Sequence, residues 1–233
     1  MDENFNYETF LLISPEKFVI SVNSEIKETI FKKEFIIQDH FDEINFQKLD
    51  LFLNENIFEI EKKIKNFIKK TSVIIDLDIF FPVDISIIKK NYENDINFKN
   101  LRNVLYEARD YCKKTIEKKK ISHIIIQNYR FNGKDFPSLP ENIECKNFSL
   151  DIKFICIPNN FIYELEKILK KYQISLSQVL SANYIRQFLS DKDGDIFLKA
   201  KDIINGHNPN EVMLINKAPR YSGFFEKFFN FFN

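Results

Sequence analysis

Asp76 and Asp78 stand two apart in the apolar run 72–81, so on a strand both carboxylates point to one face and could hold a metal ion. No third ligand is evident near them, and placement at a strand end facing solvent is the preferred reading. His123 lies in an apolar stretch without a partner Ser or Cys, which fits a packed or edge histidine better than a general base. Asp191-Lys192-Asp193-Gly194-Asp195 begins like a calcium loop. Such a loop needs glycine at its sixth position and glutamate at its twelfth. Ile196 and Asp202 stand there instead, so a surface turn is expected. No nucleophile, base and orienting group can be assembled, and no enzymatic activity is expected.

Cofactor chemistry is equally sparse. The four glycines, Gly133, Gly194, Gly206 and Gly223, stand alone. None belongs to the clustered loops whose N–H groups close around phosphates, so nucleotide binding of the P-loop or Rossmann kind is excluded. Cys112, Cys145 and Cys156 are odd in number and form no paired motif, which suits a reducing compartment. His40, His123 and His207 are too scattered for a metal cluster. No cofactor and no metal is expected. Lys+Arg and Asp+Glu balance at 34 each, so no global field favours nucleic acid. Lys118-Lys119-Lys120 reads as a solvated turn rather than a phosphate patch.

The remaining candidate site is physical rather than catalytic. Residues 223–233 read Gly-Phe-Phe-Glu-Lys-Phe-Phe-Asn-Phe-Phe-Asn. At about 100° per residue, Phe224, Phe225, Phe228, Phe229, Phe231 and Phe232 fall in one arc of roughly 160°. Glu226, Lys227, Asn230 and Asn233 take the opposite arc. A helix of this kind lies in the interface of a bilayer, docks in a partner's groove, or packs on its own domain. The membrane reading is preferred because every apolar residue is a large aromatic, with none of the Leu, Val or Ala of a usual core. Lys217 and Arg220 precede the segment, and with Lys227 they add positive charge that an anionic leaflet attracts. The membrane-binding set is therefore Phe224, Phe225, Phe228, Phe229, Phe231, Phe232, Lys227 and Arg220. No apolar run approaches the ~20 residues needed to span a bilayer. Met1-Asp2-Glu3-Asn4 is acidic where a signal peptide would be basic. A cytoplasmic protein touching the membrane through its C-terminal end is expected.

Periodicity predicts the scaffold. Residues 10–22 read as a strand pair or a long bent strand interrupted at Ser14-Pro15, and 31–37 as a further strand. Ile57, Ile60, Ile64 and Phe67/Ile68 recur at helical spacing within 54–70. Residues 72–81 read as a buried strand ended near Pro82, and 83–88 as one that pairs with a neighbour. Asn97 can cap a helix striped by Leu101, Val104/Leu105, Ala108, Tyr111/Cys112 and Ile116. Residues 121–131 form a strand ending at Asn132-Gly133, 134–146 a loop, and 148–157 another strand. Pro158-Asn159-Asn160 starts a helix with Phe161/Ile162, Leu165, Ile168/Leu169 and Tyr172 facing inward. A short strand at 174–176 and a helix at 178–189 follow, then a polar, irregular stretch. The fold class is α+β with mixed sheets.

Residues 123–133, His-Ile-Ile-Ile-Gln-Asn-Tyr-Arg-Phe-Asn-Gly, resemble the strand pattern H-V-I-P-Q-E-Y-x-x-D-G of the bacterial cell-division actin homologue FtsA. His123, Gln127, Tyr129 and Gly133 keep its spacing, with Asn132 for Asp and Ile126 for Pro. Asp95-Ile96 with Leu105 and Ala108 is similar to the preceding helix of that family's 1C subdomain. Ile174, Leu176 and Tyr184 fall as in the passage that follows. The resemblance covers most of residues 10–190 weakly, and the family also ends in an amphipathic membrane helix.

The resemblance implies a partial actin-like fold: a 1A-like part at 1–80, a 1C or SHS2-like interaction part at 81–189, a flexible linker at 190–221 and a membrane helix at 222–233. The family's first phosphate loop, D-x-G-S/T, is replaced by Leu12-Ile13-Ser14-Pro15. Only about 35 residues separate Leu189 from Phe224, where the family has two further subdomains with its second phosphate loop and adenine pocket. The implied protein is a nucleotide-free divisome module, peripheral on the cytoplasmic face of the inner membrane. Its implied partners are membrane lipid, an FtsN-type protein or a second copy through the 1C-like part. FtsZ binding is in doubt because the family places that surface in the absent part. The alternative is a soluble scaffold whose terminal helix docks in a partner's groove.

Overall fold

A strand that is apolar at successive positions needs cover on both faces, whereas an alternating one needs it on one. The strands β1 (Tyr7–Ile13) and β4 (Lys70–Ile75) are of the first kind, and β5 (Phe81–Lys90) of the second. The computed structural model describes residues 7–24, 28–37, 44–90, 98–140, 147–188 and 194–212, and it answers both demands.

The first sheet has the order β3-β2-β1-β4-β9, with β2 at Lys17–Ser24, β3 at Thr29–Ile36 and β9 at Ser175–Ser181. β1, β2 and β3 pair antiparallel, while β4 runs parallel to both β1 and β9. Helices α1 (Phe46–Ile64) and α3 (Asn159–Lys171) cover one face, where Leu49, Ile60 and Leu165 meet Leu11, Ile13 and Ile75. Helices α4 (Ala182–Phe188) and α5 (Ile196–Ile204) cover the other, where Ile185, Phe197 and Ile203 meet Phe10, Leu12 and Ile74. Adjacent residues of β1 thus enter opposite cores, which is why the run does not alternate.

The second sheet has the order β5-β8-β6-β7, with β6 at Lys119–Phe131, β7 at Lys134–Phe136 and β8 at Asn147–Pro158. All its pairings are antiparallel. Helix α2 (Phe98–Thr115) covers one face, where its Val104, Ala108 and Cys112 pack on Leu150, Ile152 and Phe154; on the other face Ile125 and Ile155 pack against the α4–α5 core, while the β5 end is exposed. Cys112 and Cys156 are free thiols in this core, and burial pushes the Cys156 thiol up to about 12.

The α+β reading holds, and several expectations change. Helix α1 begins at Phe46, capped by the Asn45 side chain accepting from the Lys48 N–H at 3.0 Å, rather than at Asn54. It ends at Ile64 because Lys65 turns left-handed (φ 53°), so Phe67 lies outside it and is exposed. The predicted helix over 178–189 divides: β9 continues to Ser181 because Val179 and Leu180 pair with Val73 and Ile74, and only 182–188 is helical. The predicted loop 134–146 opens with β7.

The linker expected over 190–221 is corrected most. Asp195 caps α5, with its side chain accepting from the Phe197 N–H, and Phe197, Ala200 and Ile203 are core residues. The Lys201 ammonium, buried in the same helix, meets Glu8 of β1 at 2.8 Å. Without α5 the Phe10 face of the first sheet would lose the part of its cover that Phe197, Ala200 and Ile203 supply. Division at residues 80 and 189 does not follow the packing either, since β9 and α3 belong to the first sheet and its core. The second sheet, with α2, is an insertion between β4 and α3. Asn97, Cys145, Asp191–Asp193 and the whole C-terminal segment 213–233 lie outside the described residues.

Phe197 is 2 % exposed, with its ring centroid 6.2 Å from that of Phe10. Phe197→Ala should lower unfolding free energy by about 3–5 kcal/mol in urea titrations. A change below ~0.5 kcal/mol would instead mean that α5 is a dispensable linker.

Candidate functional site

Where the two sheets meet, β6 is bent by two irregularities, between Ile121 and His123 and between Ile126 and Asn128. The first leaves Ser122 out of register, and its hydroxyl donates to the Val179 carbonyl of β9. The next residue, His123, is 2 % exposed and is held from both ends. Its Nε2 accepts the Ser181 N–H at 3.1 Å, so the ring proton sits on Nδ1, which donates to Glu211 Oε1 at 2.7 Å. Glu211 Oε2 accepts from the Tyr184 hydroxyl at 2.7 Å, and that hydroxyl accepts from Asn208 Nδ2 at 2.7 Å. The Tyr184 ring lies 4.5 Å from His123. Burial first, and the Glu211 charge next, hold the Tyr184 phenol far above its usual range.

This network fixes the segment after α5 to the second sheet. The Asn210 carbonyl accepts the Ile126 N–H at 2.8 Å, and the Val212 N–H reaches the Ile124 carbonyl at 2.8 Å. Glu211 bridges Ile125 in antiparallel register. The described chain therefore ends on the edge of β6, beside a groove.

That groove, about 490 Å³, lies between β6 and β9. Ile124, Ile157, Val179 and Leu180 supply apolar wall, while Arg109, Lys113, Lys119 and Lys120 contribute cations. Lys119 caps the Phe81 ring at 3.5 Å and Lys120 lies 3.7 Å from Glu166, whereas Arg109 and Lys113 have no ion pair among the described residues. Glu211 is the acid in the lining, and its carboxylate is already engaged by His123 and Tyr184. Such a groove attracts an acidic segment, and its strand-flanked walls suit an extended chain. Only Lys118 of the basic triplet is a turn (φ 56°); the other two begin β6.

His123 is a packed histidine, as its context predicts, although its polar partners were not read from the sequence. Glu211 lies 88 residues away, and only the turn-forming Asn208-Pro209-Asn210 before an apolar run hints at a strand return there. Asp76 forms a two-pronged ion pair with Arg186, one arm at 2.8 Å, which places it at a strand end rather than in a metal site. Among the described residues no cluster of acids, histidines and cysteines could hold a metal ion. Ser14, which the resemblance sets at the place of a phosphate-loop glycine, lies in a closed turn: its hydroxyl and N–H both bond back to Lys17, at 3.0 Å each. The proposed membrane set, Arg220, Phe224, Phe225, Lys227, Phe228, Phe229, Phe231 and Phe232, lies outside the described residues. No helix among those described is long and apolar enough to cross a membrane.

No protein-family model and no curated protein matches the sequence. The chain is similar in part to several solved structures. One is the cytoplasmic domain of EpsL, an inner-membrane component of the type II secretion system of Vibrio cholerae, at 13 % identity and TM-score 0.38 over 77 % of this chain and 59 % of that one. Another is the PilM–PilN type IV pilus biogenesis complex, at 11 % identity and TM-score 0.45 over 78 % and 49 %. A third is a Bacteroides thetaiotaomicron protein described as having an actin-like ATPase fold and unknown function, at 13 % identity and TM-score 0.32 over 81 % and 58 %. The chain spans about half to three-fifths of the length of these structures, and similarity at this level assigns it no function.

If Glu211 pins the end of the described chain to β6, Glu211→Ala should speed hydrogen exchange of the Ile126 and Val212 amides by tenfold or more while leaving β1 and β4 amides unchanged. Equal exchange in the variant would show that the backbone pairing holds without the carboxylate.

Proposed function

We propose that this chain is a membrane-tethered protein-interaction module of partial actin-like build, acting in bacterial cell division as the FtsA resemblance implies, without hydrolysing ATP. The observation that carries the reading is the segregation of six phenylalanines onto one arc of residues 223–233. The body supports it in two ways. Its Ser14 turn offers no phosphate cradle. Its groove between β6 and β9 combines apolar wall with cations, of which Arg109 and Lys113 have no ion pair among the described residues, features that suit an extended acidic segment of a protein partner rather than a small substrate undergoing chemistry.

One fully buried Phe is worth roughly 1.5–3 kcal/mol. Six partly inserted rings, less the free energy of ordering the segment, give real but reversible attachment to the cytoplasmic face of the inner membrane. Stable residence then needs a second contact, from a groove partner of the FtsN type or from another copy of the chain. Binding of FtsZ is not part of this reading. The second reading, a soluble scaffold whose Phe segment enters a partner's groove, draws on the same arc of rings.

Deleting residues 224–233 should abolish co-sedimentation with anionic liposomes, and Phe228→Asp with Phe231→Asp should weaken it at least tenfold with no protein partner present. A truncated chain that still sediments overturns the anchor. Loss of partner capture with no lipid binding at any stage favours the scaffold. A fluorescent fusion gathered at mid-cell, rather than spread evenly around the membrane, tests the division role.

A further inference from the structure

We propose that β5 is a self-pairing edge through which two copies of this chain join their second sheets about a two-fold axis. The pairing gives residue-level form to the self-association suggested above and rests on that reading. β5 is hydrogen-bonded to β8 along its whole length, from Phe81 opposite Cys156 to Lys90 opposite Asn147. Among the described residues no strand lies on its other side. An edge of this length presents a row of backbone N–H and C=O groups ready to pair.

The other edges are closed off. β7 is three residues long. β3 carries charges tied to its own body, Glu34 to Lys17 at 2.9 Å and Lys32 to Asp195 at 2.8 Å. The outer side of β9 is taken by the Ser122 hydroxyl on Val179 and by His123 on the Ser181 N–H. Among the described residues β5 has no such cover.

Its sequence is complementary to itself. Proline is tolerated in an edge strand where its nitrogen faces away from the neighbouring strand. Pro82 therefore sets the outward backbone groups at residues 84, 86, 88 and 90. Centring an antiparallel partner on Ile87 pairs these positions with one another. Asp84 of one copy then faces Lys90 of the second, and Ser86 faces Ile88, each pair occurring twice by symmetry. Asp84, Ser86, Ile88 and Lys90 all lie on the face of the sheet opposite α2, at its exposed β5 end. Neither Asp84 nor Lys90 has an ion pair within the described chain, so both charges are free for the partner. Ile88, 73 % exposed in one copy, gains a neighbour across the axis. Centring on Ser86 instead would set Asp84 against Ile88 and Lys90 against Pro82, which loses the charge match. The register is thereby selected by the side chains.

The consequence is a continuous sheet carrying two Phe segments. Two reversible anchors on one particle bind a surface far more firmly than either alone.

Sedimentation velocity on the full chain tests this with Asp84→Lys, Lys90→Asp and the double exchange. The wild-type chain should show a concentration-dependent dimer. Each single change replaces two attractive pairs with two repulsive ones and should raise the dimer dissociation constant about tenfold. The double exchange should restore it to within about threefold of wild type, which also controls for folding. A dimer that ignores all three variants overturns the β5 edge and leaves self-association standing by another surface. A chain that stays monomeric throughout overturns both.

Discussion

The relative placement of the two sheets depends on how one imidazole is satisfied. His123 leaves β6 at an irregularity, buries its ring between the sheets and bonds at both nitrogens, to the backbone at Ser181 and to the carboxylate of Glu211. A buried ring nitrogen without a partner is a penalty of order 1–3 kcal/mol, so β9, α4 and the segment after α5 are each held to β6 through the same residue. The Tyr184 hydroxyl donates to the second oxygen of Glu211 and itself accepts from the Asn208 amide. The groove is the space left beside this knot, walled by strands on either side and lined by cations that the body leaves partly uncompensated.

The route of the chain follows from burial. β1 and β4 send neighbouring residues into opposite cores, so their sheet needs helices on both sides. α1 and α3 supply one side; α4 and α5 supply the other. α3 and β9 come into being only after the chain has left to build the second sheet and returned at Pro158, so the first sheet is finished by residues far along the sequence. α5 is the last piece of that cover, and the following residues return to β6. The folded body and residues 205–212 after α5 are thus parts of one packing problem.

Much of this was legible. The apolar stripe of α2 and of α3, the strand nature of 121–131 and 148–157, and the Asn132-Gly133 turn (φ 49° and 81°) follow from periodicity and turn chemistry. Others were hidden by specific causes. Val179 and Leu180 carry no helix or strand signature in isolation, and only pairing with β4 makes them strand. Ile196, Phe197, Ala200 and Ile203 do recur at helical spacing, but the acidic Asp191–Asp195 run before them reads as the opening of a linker. The His123–Glu211 contact joins positions 88 apart, and local pattern holds no information about it. The uncovered charges of β5 likewise acquire meaning only once its edge position is known.

Covalent geometry alone limits how far the groove can stand from the arc of phenylalanines. Residues 213–223 separate Val212, fixed on β6, from the first ring of the arc at Phe224. At no more than ~3.6 Å per residue this stretch reaches about 40 Å, whatever path it takes. On the tethered reading the groove is therefore confined to a shell of that thickness above the bilayer. A partner segment that emerges from the same membrane meets the groove at an effective concentration set by the tether, in the millimolar range for short connections. Weak contacts then suffice. A groove with modest apolar wall and a few cations would be a poor receptor in free solution, and it becomes an adequate one when both chains share a surface.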